Sequence, residues 1–269
     1  MHLSSLTEED TFSSQRAAEL LADQAQQAAL IREITATLEA KGYRGLDVDF
    51  EFIPGERRED YIRFIQALRR QLAPLGYPVL VALAPKTYAA QPGLLYEAHD
   101  YAGLGAAADF VLLMTYEWGY TYGPPMAVAP LPNVRQVLDY ALTEIPREKI
   151  YLGIPNYGYD WPLPFRQGET AARSISNQEA VALAVRYGAE IQYDQQAQSP
   201  WFRYTAADGT AHEVWFEDAR SMSAKLRLIQ EYGLYGAGYW NLMRPYPQGW
   251  VVLNALYTEA ELREITGSV

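Results

Sequence analysis

The sequence predicts an α/β protein: a parallel sheet with its helices outside, of (β/α) barrel type, carrying a small α+β insert before the last strand. Three observations predict it. Strand-like and helix-like segments alternate along most of the 269 residues, the order that sets parallel strands side by side. No strand runs into a G-x-G-x-x-G or G-x-x-x-x-G-K-[ST] turn, which removes the usual nucleotide-binding reading of a doubly wound sheet. The residues of most chemical interest, Glu51, Tyr116, Tyr157 and Trp240, stand at strand C-terminal ends, where barrels of this type carry their function.

Taken in order, His2–Leu6 offers a possible first strand. Residues 14–42 read as one helix, capped by Ser13 or Ser14, with Ala18, Leu21, Ala25, Ala29 and Ile34 at helical spacing and Gly42 as its stop. Gly45–Glu51 alternates with period two and reads as a strand, broken by Pro54-Gly55. Glu56–Leu75 is helical, with Tyr61, Phe64, Ile65 and Leu68 on one stripe. Val79–Ala84 and Phe110–Tyr116 are apolar runs that read as buried strands, with a short helix near Tyr96–Gly105 between them. Val134–Ile145 is helical and Ile150–Ile154 a strand. From Pro162 to Ala211 the pattern changes. Ala180–Tyr187 is helical, while Ile191–Tyr193, Trp201–Tyr204 and Glu213–Phe216 read as short antiparallel strands, with Asp208-Gly209 as a hairpin turn. Ser221–Tyr232 is a helix and Gly236–Leu242 the last strand. The expected organisation is barrel over 1–161, insert over 162–217, and last strand plus C-terminal helix over 218–269.

Composition bounds the chemistry. Lys+Arg is 22 and Asp+Glu 33, a net charge of −11, which argues against nucleic acid or an anionic membrane surface as partner. There is no Cys, so disulfides, thiolate metal sites and Cys nucleophiles are out. No apolar run approaches the roughly 18 residues of a membrane span, and the N-terminal residues show no signal-peptide pattern. Tyr is 21 and Trp 6 against only 8 Phe. Rings with a flat apolar face and a polar tip suit sugar stacking, and equally suit core and rim packing.

Asp47, Asp49 and Glu51 alternate on one strand, which puts all three on one face, successive members about 7 Å apart. Three carboxylates facing a core cannot all ionise cheaply, so at least one should hold a proton near neutral pH. A carboxyl with a raised pKa is a ready general acid. Glu51, nearest the C-terminal mouth, is the natural donor, with Asp49 one layer below. A solvent-facing edge strand would show the same alternation. A metal site fits poorly, because one ion needs its ligands within about 2.0–2.6 Å and three rungs of one strand spread too far. His2, His99 and His212 are scattered without metal spacing and are expected at the surface or hydrogen-bonded. No G-x-S-x-G elbow supports acyl hydrolysis.

Four motifs then stand in order. Tyr43-Arg-Gly-Leu-Asp-Val-Asp-Phe-Glu51 resembles the D-G-x-D-x-D-x-E signature of family-18 glycoside hydrolases. Met114-Thr-Tyr-Glu117 is similar to that family's Met-x-Tyr-Asp motif, Gly153-Ile-Pro-Asn-Tyr-Gly158 to its G-x-P-x-Y-G strand, and Gly238-Tyr-Trp240 to the strand carrying its active-site-floor Trp. The resemblance runs from about residue 12 to about residue 250. It is narrower toward the spore-cortex-lytic N-acetylglucosaminidases through Glu51-Phe-Ile-Pro, Ser199-Pro-Trp-Phe, Val214-Trp-Phe-Glu-Asp-Ala-Arg-Ser and Tyr246-Pro-Gln-Gly-Trp250.

The resemblance implies a retaining, substrate-assisted hydrolase of N-acetylglucosamine glycans, with peptidoglycan or cortex fragments ahead of chitin and no cofactor or metal. It implies Glu51 as acid and then base, Asp49 orienting the acetamido group, Asp47 sharing a proton with Asp49, and Tyr116 donating to the attacking carbonyl. Trp240 would floor the sugar, Tyr157, Tyr159 and Glu117 would line its subsite, and Met114 would pack beneath. Trp118 and Trp161 follow strands and are expected at the cleft. Trp201 and Trp215 are either a sugar wall or the insert's own core. Arg44 stands at the signature's first Asp, Glu117 at the second motif's Asp, and Tyr159 where many chitinases have Arg. The resemblance implies an extracellular, wall- or spore-associated protein. The signature belongs on a barrel's fourth strand, so the first two βα units are expected to be absent, leaving an edge that invites pairing with a second chain. The readings that compete are a catalytically weak or silent glycan-binding barrel, a chitinase, and a carboxylate-metal hydrolase.

Overall fold

The computed structural model describes residues 1–9 and 11–257, so the end of the C-terminal segment assigned to 218–269 lies outside the described residues. The chain falls into two compact units. One holds Met1–Met114 and Val137–Tyr151, the other Thr115–Gln136 and the chain from Leu152 onward.

In the first unit, strands β1 (His2–Ser4), β2 (Leu46–Asp49), β3 (Val79–Leu83) and β4 (Phe110–Leu113) lie side by side in that order. All three pairings are parallel, with His2 opposite Asp47, Asp47 opposite Leu80, and Val81 opposite Val111. Strand β5 (Ile150–Pro155) follows β4 in the sheet and continues into the second unit, where its neighbour is β11 (Gly236–Trp240). The parallel sheet among the described residues therefore has six strands in the order of a (β/α) barrel, two fewer than the eight of a complete one.

The helices are α1 (Ser14–Ala22), α2 (Gln24–Lys41), α3 (Arg58–Leu72), α4 (Tyr101–Ala107), α5 (Leu131–Glu144), α6 (Asn177–Tyr187), α7 (Ala219–Tyr232) and α8 (Pro247–Leu256). None is long and apolar enough to cross a membrane. The predicted stripe on α3 is its buried face, where Tyr61, Phe64, Ile65, Leu68 and Leu72 are fully covered. The single helix expected over 14–42 is two. Asp23 ends α1 in an extended conformation and accepts from the backbone N–H of Ala25 and Gln26, capping α2. Gly42, at φ 66°, closes α2 in the left-handed region where a Cβ would be strained.

The second unit carries an antiparallel sheet in the order β7-β6-β10-β9-β8. Its strands are β6 (Gly158–Leu163), β7 (Arg173–Ile175), β8 (Gln192–Asp194), β9 (Ser199–Thr205) and β10 (Ala211–Trp215). Strands β6 and β7 were not expected. One face of this sheet packs with α6 into an apolar core of Ile175, Ala180, Leu183, Phe202, Val214 and Phe216. Gly158 allows β6 to approach β10, since a Cβ there would sit 2.4 Å from the Trp215 carbonyl oxygen.

Candidate active site

The carboxylate strand behaves as its pattern requires. Leu46, Val48 and Phe50 are buried, and the opposite face presents Asp47 and Asp49. β2 has partners on both sides, which excludes a solvent-facing edge strand. The strand ends at Asp49, however, and Glu51 lies two residues beyond it, half-buried. Phe52, at φ 55°, turns the chain out of the ladder immediately after Glu51. A non-glycine residue held in that region costs energy that surrounding structure must supply. Ser14 helps, donating its hydroxyl to the Phe52 carbonyl.

Phe50, between the two acids, is fixed from both ends. Its ring stacks against Tyr61 and Phe64, 5.9 Å from each centroid. Its carbonyl pairs with His99 Nε2 at 3.0 Å, while Ala84 N–H donates to His99 Nδ1 at 2.8 Å. An acceptor at Nδ1 makes Nε2–H the donor to Phe50. Burial pushes the His99 pKa down to about 4, so this ring stays neutral and keeps that tautomer.

Asp49 is 9% exposed. Burial pushes its carboxyl up to about 6, the charge of Asp47 adds to the rise, and His2 opposes it. The folded protein therefore holds this proton over a range where the unfolded chain has released it. Stability contributed at this position falls as pH rises from about 4 through 6. Asp49→Asn removes the buried charge. The variant is expected to exceed wild type by about 2–3 kcal/mol above pH 6, the gain vanishing near pH 4, in urea melts run across that range.

The remaining first-unit residue of the expected set is Met114, buried just beyond β4, its N–H donating to the Leu83 carbonyl at 2.9 Å.

The second unit brings a different group together. Tyr116 is buried, and Glu117 follows at φ 67°. The Glu117 carboxylate accepts from the Tyr157 hydroxyl and from the Tyr159 hydroxyl at 2.9 and 3.1 Å. Counted over the whole residue Glu117 is exposed, yet its carboxylate lies against two buried phenols. Burial raises its pKa, against the two hydrogen bonds and the charge of Arg244. The tyrosine motif and the Glu-for-Asp exchange thus account for each other: the longer carboxylate spans both phenols, and Tyr159 fills that place as a donor rather than as a cation. Trp118 is half-buried. Trp240 ends β11 with 47% of its surface exposed.

Arg244 and Asn156 were not anticipated. The Arg244 guanidinium lies 5.8 Å from the Tyr157 ring centroid and donates to Ser174 Oγ at 2.8 Å and the Ile175 carbonyl at 3.0 Å. Asn156 N–H donates to the Trp240 carbonyl at 2.7 Å, and its side chain to the Arg244 carbonyl at 2.6 Å. Asn156 lies inside the third motif, which was its only sequence signal. Trp161 is a correction: it is fully buried, its indole N–H donating to the Gly123 carbonyl at 2.8 Å, so it packs the interior and does not line a cleft. Trp201 and Trp215 are cross-strand partners, stacked 5.7 Å apart, and they stand outside the insert's apolar core.

The first unit thus offers an acidic pair with a further carboxylate past the strand end, and the second unit offers a phenol-bound Glu, groups suited to proton transfer. Residues 9–244 match the family described as Glycosyl hydrolases family 18, and the chain belongs to that family. It is similar to the cortical fragment-lytic enzyme of Bacillus subtilis (strain 168), 48% identical over 247 residues that cover 92% of this chain and 57% of that protein. It is also similar to the Bacillus cereus spore cortex-lytic enzyme SleL in its crystal structure, with TM-score 0.92 and 42% identity over 96% of this chain and 59% of that one. A chitinase from Chromobacterium violaceum superposes with TM-score 0.87 at 31% identity, over 94% of this chain and 78% of that one. The chain thus spans less than three fifths of the length of either cortex-lytic relative.

Proposed function

We propose that the chain is a retaining glycosidase that cleaves N-acetylglucosamine-containing glycans, with peptidoglycan or cortex fragments as substrate. The observation that carries this reading is Asp49, buried beside the half-exposed Asp47 with its carboxyl raised toward neutrality, two residues before Glu51. Relatives named for cortex lysis favour peptidoglycan over chitin.

Glu51 gives a proton to the glycosidic oxygen as the bond to the anomeric carbon breaks. The sugar's own acetamido carbonyl attacks that carbon and forms an oxazolinium ion, so the protein supplies no nucleophile. Asp49 accepts from the acetamido N–H and stabilises the positive charge that develops there. Asp47 takes up the shared proton as Asp49 becomes the charged member of the pair. The Tyr116 hydroxyl donates to the attacking carbonyl oxygen. Trp240 stacks under the ring, with Glu117, Trp118, Tyr157 and Tyr159 lining its surroundings and Met114 supporting the floor. Glu51, now a carboxylate, takes a proton from the water that opens the oxazolinium ion, with overall retention.

The test is hydrolysis of spore-cortex fragments and of vegetative peptidoglycan, with chitin oligomers in parallel. New reducing N-acetylglucosamine ends of retained configuration are expected, more from peptidoglycan than from chitin. A folded protein that binds these glycans without turnover would instead be a glycan-binding barrel.

A further inference from the structure

β1 runs parallel to β2 with His2 opposite Asp47 and Ser4 opposite Asp49, so His2 stands on the sheet face that carries both carboxylates. His2 Nδ1 lies 2.8 Å from Asp47 Oδ2, and Nε2 lies 3.8 Å from Asp49 Oδ2. One imidazole ring addresses both carboxylates, and does so unequally. The second oxygens, Asp47 Oδ1 and Asp49 Oδ1, are buried without a hydrogen-bond partner among the described residues.

We propose that His2 is a positioning residue for the acidic pair: by bonding Asp47 and standing farther from Asp49, it gathers the pair's negative charge on Asp47 and leaves the shared proton on Asp49, the carboxyl nearer Glu51. The inference rests on the glycosidase reading for its catalytic meaning, though not for its geometry. Two carboxylates on one strand face disfavour each other's ionisation, so one of them keeps a proton into a higher pH range, and a cation decides which of them carries the charge, because its attraction falls with distance.

The groups around the ring support a charged imidazole. From β2 come Asp47 and Asp49, and the hydrogen bond to Asp47 is the largest influence raising the His2 pKa. Tyr61 of α3 lies toward the two carboxylates with a buried phenol whose pKa is raised well above its usual value, so it stays neutral. On β1 itself the Met1 α-amino group opposes the charge, and partial burial opposes it too.

The sign of the consequence follows. Removing the cation makes both carboxyls hold their protons more tightly, so the midpoint of Asp49 rises, and the acid limb of kcat/KM with it. His2→Gln keeps a donor for Asp47 and loses the charge. Its kcat/KM profile on cortex fragments is expected to show the acid limb moved up by about one pH unit. Side-chain carboxyl NMR should show the Asp49 midpoint moving the same way. In the other direction, Asp47→Asn should lower the His2 imidazole midpoint, read by histidine NMR on the full chain, which serves if His2→Gln does not fold. A His2 midpoint unmoved by Asp47→Asn, or a His2→Gln profile scaled down evenly without a shift, would overturn the proposal. The two readings fail separately. Coupled NMR titrations without wild-type turnover would sink the glycosidase and leave the coupling, while turnover with uncoupled titrations would do the reverse.

Discussion

Glu51→Gln is expected to lower kcat on cortex fragments by about 10²–10⁴-fold, the range that a general acid contributes, with little change in the melting transition. The amide has almost the same shape as the carboxyl but cannot release a proton to the leaving oxygen. Phe50 is held by His99 and by two rings irrespective of residue 51, so the local backbone should survive the change. Because the lost interaction belongs to the transition state, kcat and kcat/KM should fall together while KM stays near wild type. An unchanged rate would remove Glu51 from the mechanism.

Lys225→Met is expected to be the most destabilising single change. Lys225 Nζ donates to Glu217 Oε2 at 2.8 Å, with the two side chains 1% and 0% exposed. Removing one partner of such a pair leaves a buried charge without compensation, at a cost of about 3–5 kcal/mol. The Glu217 pKa is already raised by burial, and Lys225 is what opposes the rise. In the variant, Glu217 should therefore take up a proton more readily. The destabilisation should shrink as pH falls, since a neutral acid is cheaper to bury. The double variant Glu217→Gln with Lys225→Met should recover most of the loss, because replacing both charges is far cheaper than stranding one. Urea melts of the two single variants and the double at two pH values would show it, and equal losses in all three would refute it.

Residues whose partners are close in sequence were the legible ones. The face of β2 followed from alternating Leu46, Val48 and Phe50, and the stripe of α3 from its spacing. The break at Asp23 was hidden because the apolar period runs through it, from Leu21 to Ala25, while the cap depends on one side chain reaching two N–H groups. Strand β7 has only three residues, too few to show a period, and β6 mixes aromatic, acidic and proline residues. Distant pairings were out of reach. Nothing at residue 2 announces a contact with residue 47. Arg244 meets Ser174 across 70 positions. The left-handed backbone at Phe52 and Glu117 belongs to residues that seldom adopt it, so no local pattern could foretell it. The motifs singled out the candidate residues, whereas the charge those residues carry depends on burial and on neighbours that only folding supplies.

The antiparallel sheet also bears on how this protein could be re-engineered. A surface module can be exchanged between relatives when it meets its host through a pair of linkers alone. This one does not. Tyr159 on β6 is bonded to Glu117, Asn177 at the start of α6 donates to Asn156 Oδ1 at 3.3 Å, and Ser174 and Ile175 of β7 accept from Arg244. The backbone joins in, with Ala172 N–H donating to the Thr121 carbonyl and Leu131 N–H to that of Ala197. Clipping out the segment would strip donors from Glu117 and Asn156 and acceptors from Arg244 at one stroke. A chimera that borrows the segment from a chitinase must bring matching residues at 159, 174 and 177, or leave Glu117, Asn156 and Arg244 without these partners.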